Sequence, residues 1–214
     1  MERIVDGPMT IVVDGPVGFG NNIYLIIDNS TREAAFIDAP GEAASLLAVA
    51  EAEGVRPRSI LLTHSHGDHT SCIDGLKEAL SCQLYADARE PWLKDGQLNK
   101  AVAHGDVVRV GNLEFHALSV PGHTPGSTTF VHGNHAFVGD TLFPGGPGNS
   151  RSNELLQQEI ASITTELYAL PDSTRVWPGH GAGTTIGESK AEYAIFAAKE
   201  HPADLHGDVL WAQH

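Results

Sequence analysis

The chain has 214 residues, 13 basic and 27 acidic, for a net charge of −14 with histidine neutral. A length in this range fits one domain able to bury a core without disulfide staples, and the acidic excess repels phosphate backbones and anionic membrane surfaces, so nucleic acid is not an expected partner. Residues 1–8 lack a basic stretch followed by an apolar one, and no apolar run approaches the roughly 20 residues of a membrane helix, so a soluble cytoplasmic protein with no membrane contact is expected.

Three β-rich runs come first: Thr10–Val13, Ile23–Ile27 and Ala34–Ile37, each followed by Asp-led turn residues, read as antiparallel strands. Glu42–Glu53 predicts a helix stopped by Gly54, and Ser59–Leu62 a short strand ending just before His64. A helix over Ser71–Leu80 and a strand over Gln83–Ala86 follow. Val107–His135 reads as several strands divided by turns, and Ala136–Val138 as another that runs into Gly139-Asp140. Leu156, Ile160, Ile163, Leu167 and Leu170 form one apolar stripe of a helix predicted over Asn153–Leu170 and ended by Pro171. Arg175–Trp177 is a last strand before Pro178-Gly179-His180-Gly181, and Glu188–Lys199 a last helix. The mixture suggests packed sheets covered by outer helices, an α/β class, in one domain over 1–214. Residues 201–214 form a C-terminal tail whose Val209-Leu210-Trp211 triplet is expected to dock back on the domain, with a dimer contact as the alternative. Cys72 and Cys82 read as free thiols without a chemical role.

The 12 histidines are many against 13 Lys plus Arg, and three of them fall in Thr63-His64-Ser65-His66-Gly67-Asp68-His69. Three histidines and one aspartate at such places are expected by chance roughly 0.002 times in this composition. Four polar ligands in six residues cannot share one direction, so His64 and His66 are expected to face one centre and Asp68 and His69 another, which implies two metals. Small residues between them let the loop fold tightly. Further ligand candidates share one context, a short β-run ending at a Gly-flanked polar residue: His123, Asp140 and His180. The seven other histidines, His104, His116, His132, His135, His201, His206 and His214, lack that context and are expected at the surface or satisfied in the core.

His-x-His-x-Asp-His followed by Pro-Gly-His-Thr-Pro-Gly-Ser, Gly-Asp-Thr-Leu-Phe and Pro-Gly-His-Gly resembles the metallo-β-lactamase fold superfamily, in its glyoxalase II-like (hydroxyacylglutathione hydrolase-like) branch. The resemblance spans roughly residues 20–187 and implies a four-layer αββα sandwich with the site along one edge of its two sheets. It implies a first metal held by His64, His66 and His123, a second by Asp68, His69 and His180, and Asp140 bridging both. Asp38, at the end of Phe36-Ile37-Asp38, resembles the family's strand-end acid that orients a metal-bound histidine, while a turn-forming Asp is the alternative. Two Zn2+ ions, two carboxylates and a bridging hydroxide sum to about +1, which draws an anionic small-molecule substrate, and zinc lowers the pKa of its water to about 7. Asp68 is the side chain placed to take or relay a proton.

Glyoxalase II enzymes resemble this chain up to Asp140-Thr141-Leu142-Phe143 and then carry a basic residue that contacts glutathione; Asn149 stands in its place here, with Arg151 two positions on. Only 34 residues follow His180, short of a separate glutathione-binding domain. The expected reaction is thioester hydrolysis, with Pro144–Asn153 as a mobile lid and Asn149 and Arg151 as substrate contacts. Fe2+ or Mn2+ could replace zinc. The alternatives are a persulfide dioxygenase-like enzyme with one ferrous iron on His64, His123 and Asp140, a lactonase or β-lactamase, and a non-catalytic metal-binding module. The oligomeric state is not legible.

Overall fold

The structure, a computed structural model, describes residues 1–213; His214 lies outside the described residues. Strands β1 (Glu2–Asp6), β2 (Met9–Val17), β3 (Asn21–Asp28) and β4 (Ala34–Ile37) pair antiparallel in order, and β5 (Ser59–Leu61), β6 (Gln83–Ala86) and β7 (Lys100–Ala101) extend the sheet in parallel. Later come β8 (Val107–Val110), β9 (Leu113–Ser119), β10 (Thr128–His132), β11 (His135–Gly139), the hairpin β12 (Leu142–Phe143) and β13 (Gly146–Pro147), then β14 (Arg175–Pro178) and β15 (Thr184–Thr185). The second sheet runs β15-β14-β11-β10-β9-β8, with only β11 and β14 parallel. The helices are α1 (Ala43–Ala52), α2 (Gly67–Thr70), α3 (Ile73–Leu80), α4 (Asn153–Ser162) and α5 (Ile186–Ala197). No helix among the described residues is long and apolar enough to cross a membrane.

The apolar runs explain the layering. In β3 every residue from Ile23 to Ile27 is buried, because alternate side chains serve two cores. Ile23, Leu25 and Ile27 pack with Phe36, Leu46, Val49, Leu76 and Leu80 against α1 and α3. Tyr24 and Ile26 pack between the sheets with Ile11, Ile37, Phe115, Phe130 and Phe137. On the far face of the second sheet, Val131 and Val138 meet Leu156, Ile160, Phe196, Val209 and Trp211. Three cores separated by two sheets make a four-layer αββα sandwich, the expected class. Cys72 and Cys82 are free and buried in the outer core of the first sheet.

Several expectations need correction. β1 is a strand the sequence did not announce, being polar and mostly exposed. The His-Asp segment is partly helical, since Asp68 and His69 lie on α2, and the next helix starts at Ile73 rather than Ser71. The helix predicted over Asn153–Leu170 stays α-helical only to Ser162 and then widens into a π turn, Ile163–Leu167, where the Tyr168 amide reaches back five residues to Ile163. The last helix begins two residues early, at Ile186, because Thr185 and Glu188 form a capping box. Pro144–Asn153 is no open lid: Gly146, Pro147, Gly148 and Ser150 are buried, and the Trp211 amide donates to the Gly145 carbonyl at 2.7 Å.

Candidate metal centre

Register brings the polar residues to one edge. Ile37 pairs with Leu61 and Leu61 with Tyr85 in parallel strands, so Asp38, Thr63-His64 and Asp87 leave the first sheet at one level. In the second sheet Gly139 pairs with Pro178, so Asp140 and Gly179-His180 leave together. Ligands gather outside the carboxyl ends of parallel strands for this reason. The sheets are stitched there: the Asn22 amide donates to Gly179 O at 2.8 Å and the Tyr24 hydroxyl to Pro178 O at 2.7 Å. Two glycines allow the close approach. A methyl on Gly179 would come within 2.4 Å of Asp140 Oδ1 and His69 Cε1, and one on Gly139, at φ 55°, within 2.3 Å of Thr63 Oγ1.

The ligand atoms of His64, His66 and His123, of His64, His69 and Asp140, and of Asp68, His69 and His180 each lie within 4.8 Å of one another. All seven residues singled out by sequence are thus brought together. His66 Nδ1 and His123 Nε2 are 2.9 Å apart, and His180 Nε2 is 3.1 Å from Asp68 Oδ2. Asp140 lies between the groups: Oδ1 is 3.4 Å from His69 Nε2, and Oδ2 is 3.4 Å from His180 Nε2 and 3.9 Å from His123 Nε2.

Hydrogen bonds behind the rings decide which nitrogen faces inward. His69 Nδ1 donates to Asp38 Oδ2 at 2.8 Å, and His123 Nδ1 to Asn149 O at 3.0 Å. Thr63 gives its amide and hydroxyl to Asp38, at 2.7 and 2.9 Å, so its oxygen accepts from His64 Nδ1 at 3.1 Å. Three Nε2 atoms are therefore turned to the centre. Asp38 sits in a turn at φ 61° and is bound to His69.

The charges follow from the same contacts. Burial, reinforced by neighbouring imidazoles, lowers His64 well below the ordinary histidine range and His66 to about 4, and burial lowers His123 as well. Hydrogen bonds that His180 donates to Asp140 and then Asp68 raise it to about 9. Burial acts against His69, yet the neighbouring Asp38 and Asp140 carboxylates raise it well above its usual value. Burial also opposes ionisation of Asp140 and Asp68, but His180 first, with the nearby His69 for both and Asn21 for Asp68, holds both carboxyls well below the usual range. One group is three neutral donors; the other draws positive charge.

A divalent cation fits this donor set. His64 Nε2 and Asp140 Oδ1 are buried with no hydrogen-bond partner among the described residues, a costly state that a cation between them would relieve. Asn21 shows the same demand, its Nδ2 lying 2.8 Å from Asp68 Oδ2, 3.3 Å from His69 Nε2 and 3.2 Å from His180 Nε2.

Of the expected substrate contacts, Arg151 is exposed with its guanidinium carbon 5.2 Å from the Trp92 ring centre, and Trp92 stacks on His66 at 4.8 Å. Asn149 is exposed, and its amide donates to Asp208 Oδ1 at 2.9 Å. Sequence reasoning missed Asn21, Glu90 and Trp92, whose partners lie far along the chain; only the acid-Pro-aromatic step just past β6 offered a signal.

The sequence profile described as Metallo-beta-lactamase superfamily matches residues 16–194. The chain belongs to the metallo-β-lactamase superfamily. Within the superfamily it is 40% identical over 159 residues to a hydroxyacylglutathione hydrolase of Rhodopseudomonas palustris, covering 73% of this chain and 61% of that protein. The chain thus spans about three fifths of the length of the curated relatives it matches first, and these names place it in the glyoxalase II-like branch. The crystal structure of ETHE1 from Myxococcus xanthus is 30% identical, covers 88% of this chain and 86% of its own, and superposes with a TM-score of 0.76. TTHA1623, crystallised in a di-iron-bound form, is 32% identical with a TM-score of 0.70, over 84% of this chain and 96% of its own.

Proposed function

We propose that this chain is a dinuclear, zinc-dependent hydrolase that cleaves small anionic acyl thioesters. The observation that carries the reading is the convergence of seven side chains, among which His64 Nε2 and Asp140 Oδ1 are buried with no hydrogen-bond partner among the described residues. His64, His66 and His123 would hold one ion, Asp68, His69 and His180 the other, with Asp140 shared. When bound, the two ions supply a water-derived nucleophile at neutral pH and polarise the substrate carbonyl. Asp38 and Thr63 keep His69 and His64 turned inward, and Trp92 shields one face of His66 from water. Asp68, fixed by Asn21 and His180, takes or relays the proton. At the rim Arg151, beside Asn149, offers a cation to the substrate's anionic group.

Relatives named hydroxyacylglutathione hydrolase support thioester cleavage. A neighbour with two irons makes iron a compatible alternative metal. The absence of a basic residue at position 149 points to a thiol carrier other than glutathione. The test is hydrolysis of S-lactoylglutathione and other acyl thioesters by zinc-loaded protein beside a metal-stripped control and Asp140→Asn. Turnover is expected in the loaded protein alone, lost by 100-fold or more in the variant, an order set by the value of preorganised charge. No turnover above the stripped control sinks the proposal; one iron per chain with oxygen uptake replaces it by the dioxygenase reading.

A further inference from the structure

Glu90 belongs to none of the ligand groups, yet it is only 7% exposed and lies four residues beyond the end of β6. Its Oε2 accepts the Ser65 amide at 2.6 Å and the Ser65 hydroxyl at 2.5 Å, while Oε1 accepts the Thr124 hydroxyl at 2.5 Å. Ser65 separates His64 from His66, and Thr124 follows His123. One buried carboxylate therefore ties together the tips of the two loops that carry the His64, His66 and His123 donors. A backbone bond from Thr128 N to Thr63 O, at 2.9 Å, joins the same loops at their base.

The other residues of the second loop shape a socket for this acid. Ser127 Oγ accepts the Thr124 amide at 3.0 Å and shares a hydrogen bond with its hydroxyl at 2.7 Å. A methyl on Gly126 would come within 2.9 Å of Glu90 Cγ and Oε1. On the other side the Trp92 amide donates to Ser65 Oγ at 3.2 Å, which carries the indole onto His66. Ser65, Thr124 and Gly126 thus face Glu90 directly, and Ser127 braces Thr124 behind them.

We infer that Glu90 is the positioning residue of the His64, His66 and His123 half of the centre. It sets the separation of the two loops, and so the affinity of one ion, as Asp38 does for the other ion through His69. Partners behind a ligand are worth about 10- to 100-fold in metal affinity. The inference rests on the two-ion reading above.

The test is zinc titration of the full chain against a competing chelator, with the part of the tryptophan emission change that Trp92→Phe abolishes as the local reporter, since Trp177 and Trp211 also emit, and elemental analysis for the total. Glu90→Ala is expected to shift the Trp92-reported zinc affinity about 10- to 100-fold weaker while the second ion binds as in the parent. Glu90→Gln can accept from Ser65 and donate to Thr124, so it is expected to recover most of the loss. Asp38→Ala is expected to weaken the ion that Trp92 does not report. Should Glu90→Ala fail to fold, Thr124→Val removes one of the three bonds, and a loss of about threefold or more supports the inference. Unchanged Trp92-reported affinity in a folded variant, or equal weakening of both ions, overturns it. A parent that binds no zinc brings down the two-ion reading and this inference with it; two tightly held ions in parent and variants alike bring down the inference alone.

Discussion

Glu159 shows how much one side chain near the centre can shape the pH response of the whole chain. It is 0% exposed, its Oε1 accepts the Gly148 amide at 3.2 Å, and its Oε2 has no partner among the described residues. Burial, with a smaller contribution from Asp140, raises its pKa well above the usual glutamate value. Above pH 4.5 the native protein keeps a proton that the unfolded chain loses, so stability falls as pH rises toward the native pKa. Glu159→Gln keeps the shape and removes the titration. Its stability should decline less steeply above pH 4.5, by up to about 1.4 kcal/mol per pH unit, and denaturant unfolding of parent and variant between pH 5 and 8 measures the difference. Parallel curves would show that Glu159 ionises freely in the native state. At this scale the cluster of candidate ligands was legible and its supports were not. His, Asp and Gly-flanked turns announce donors within a few residues, whereas Glu90 meets Ser65 and Thr124 across 25 and 34 positions and Asn21 meets His180 across 159.

The C-terminal segment makes the same point for elements. Trp211 is fully buried beside Phe196 and Tyr193, although its indole nitrogen has no partner among the described residues. Its backbone bonds Gly145, and Val209 O crowds Gly146, so this segment braces the β12–β13 hairpin that leads to Gly148. Trp211→Ala is expected to lose about 3–5 kcal/mol of stability, and Trp211→Phe distinctly less, because no indole hydrogen bond is lost; urea unfolding of both checks this. The apolar triplet was readable, but the surface it covers was not. The π turn left no mark either: Leu156, Ile160, Ile163 and Leu167 keep helical spacing and are buried, while the extra residue per turn leaves Leu170 only half-buried. Thr164 and Thr165 bond back to Ile160 O and Ala161 O, both at 2.8 Å, which feeds the widened turn. β1 escaped because Glu-Arg-Ile-Val-Asp has no apolar face to read.

For the whole molecule, the sandwich was foreseeable in kind because β3 and β4 are apolar on both faces, which demands a layer on each side. The order of layers came from the motif resemblance, since strand pairing across more than a hundred residues has no local code. Metal should act at this scale too, because the ligands join both sheets. An ion at 100 times its dissociation constant adds about 2.7 kcal/mol, and 1 kcal/mol moves the melting temperature of a chain this size by about 2–4 °C. Chelator treatment is therefore expected to lower Tm by roughly 5–10 °C per ion, reversibly on adding zinc. Calorimetry at several zinc concentrations reads this, and a Tm indifferent to both would show that the ligands are not holding the sheets together.

The two thiols give this fold a built-in gauge. Burial pushes Cys72 up to about 12 and raises Cys82, so neither supplies thiolate at neutral pH while the layer is closed. Cys72 Sγ also points at the carbonyls of Ala39 and Pro40, next to Asp38. A coloured disulfide reagent should consequently be consumed only as fast as the helical coat of the first sheet lifts away. Following that slow colour change at rising zinc would time how often this half of the protein comes apart, with nothing engineered into it.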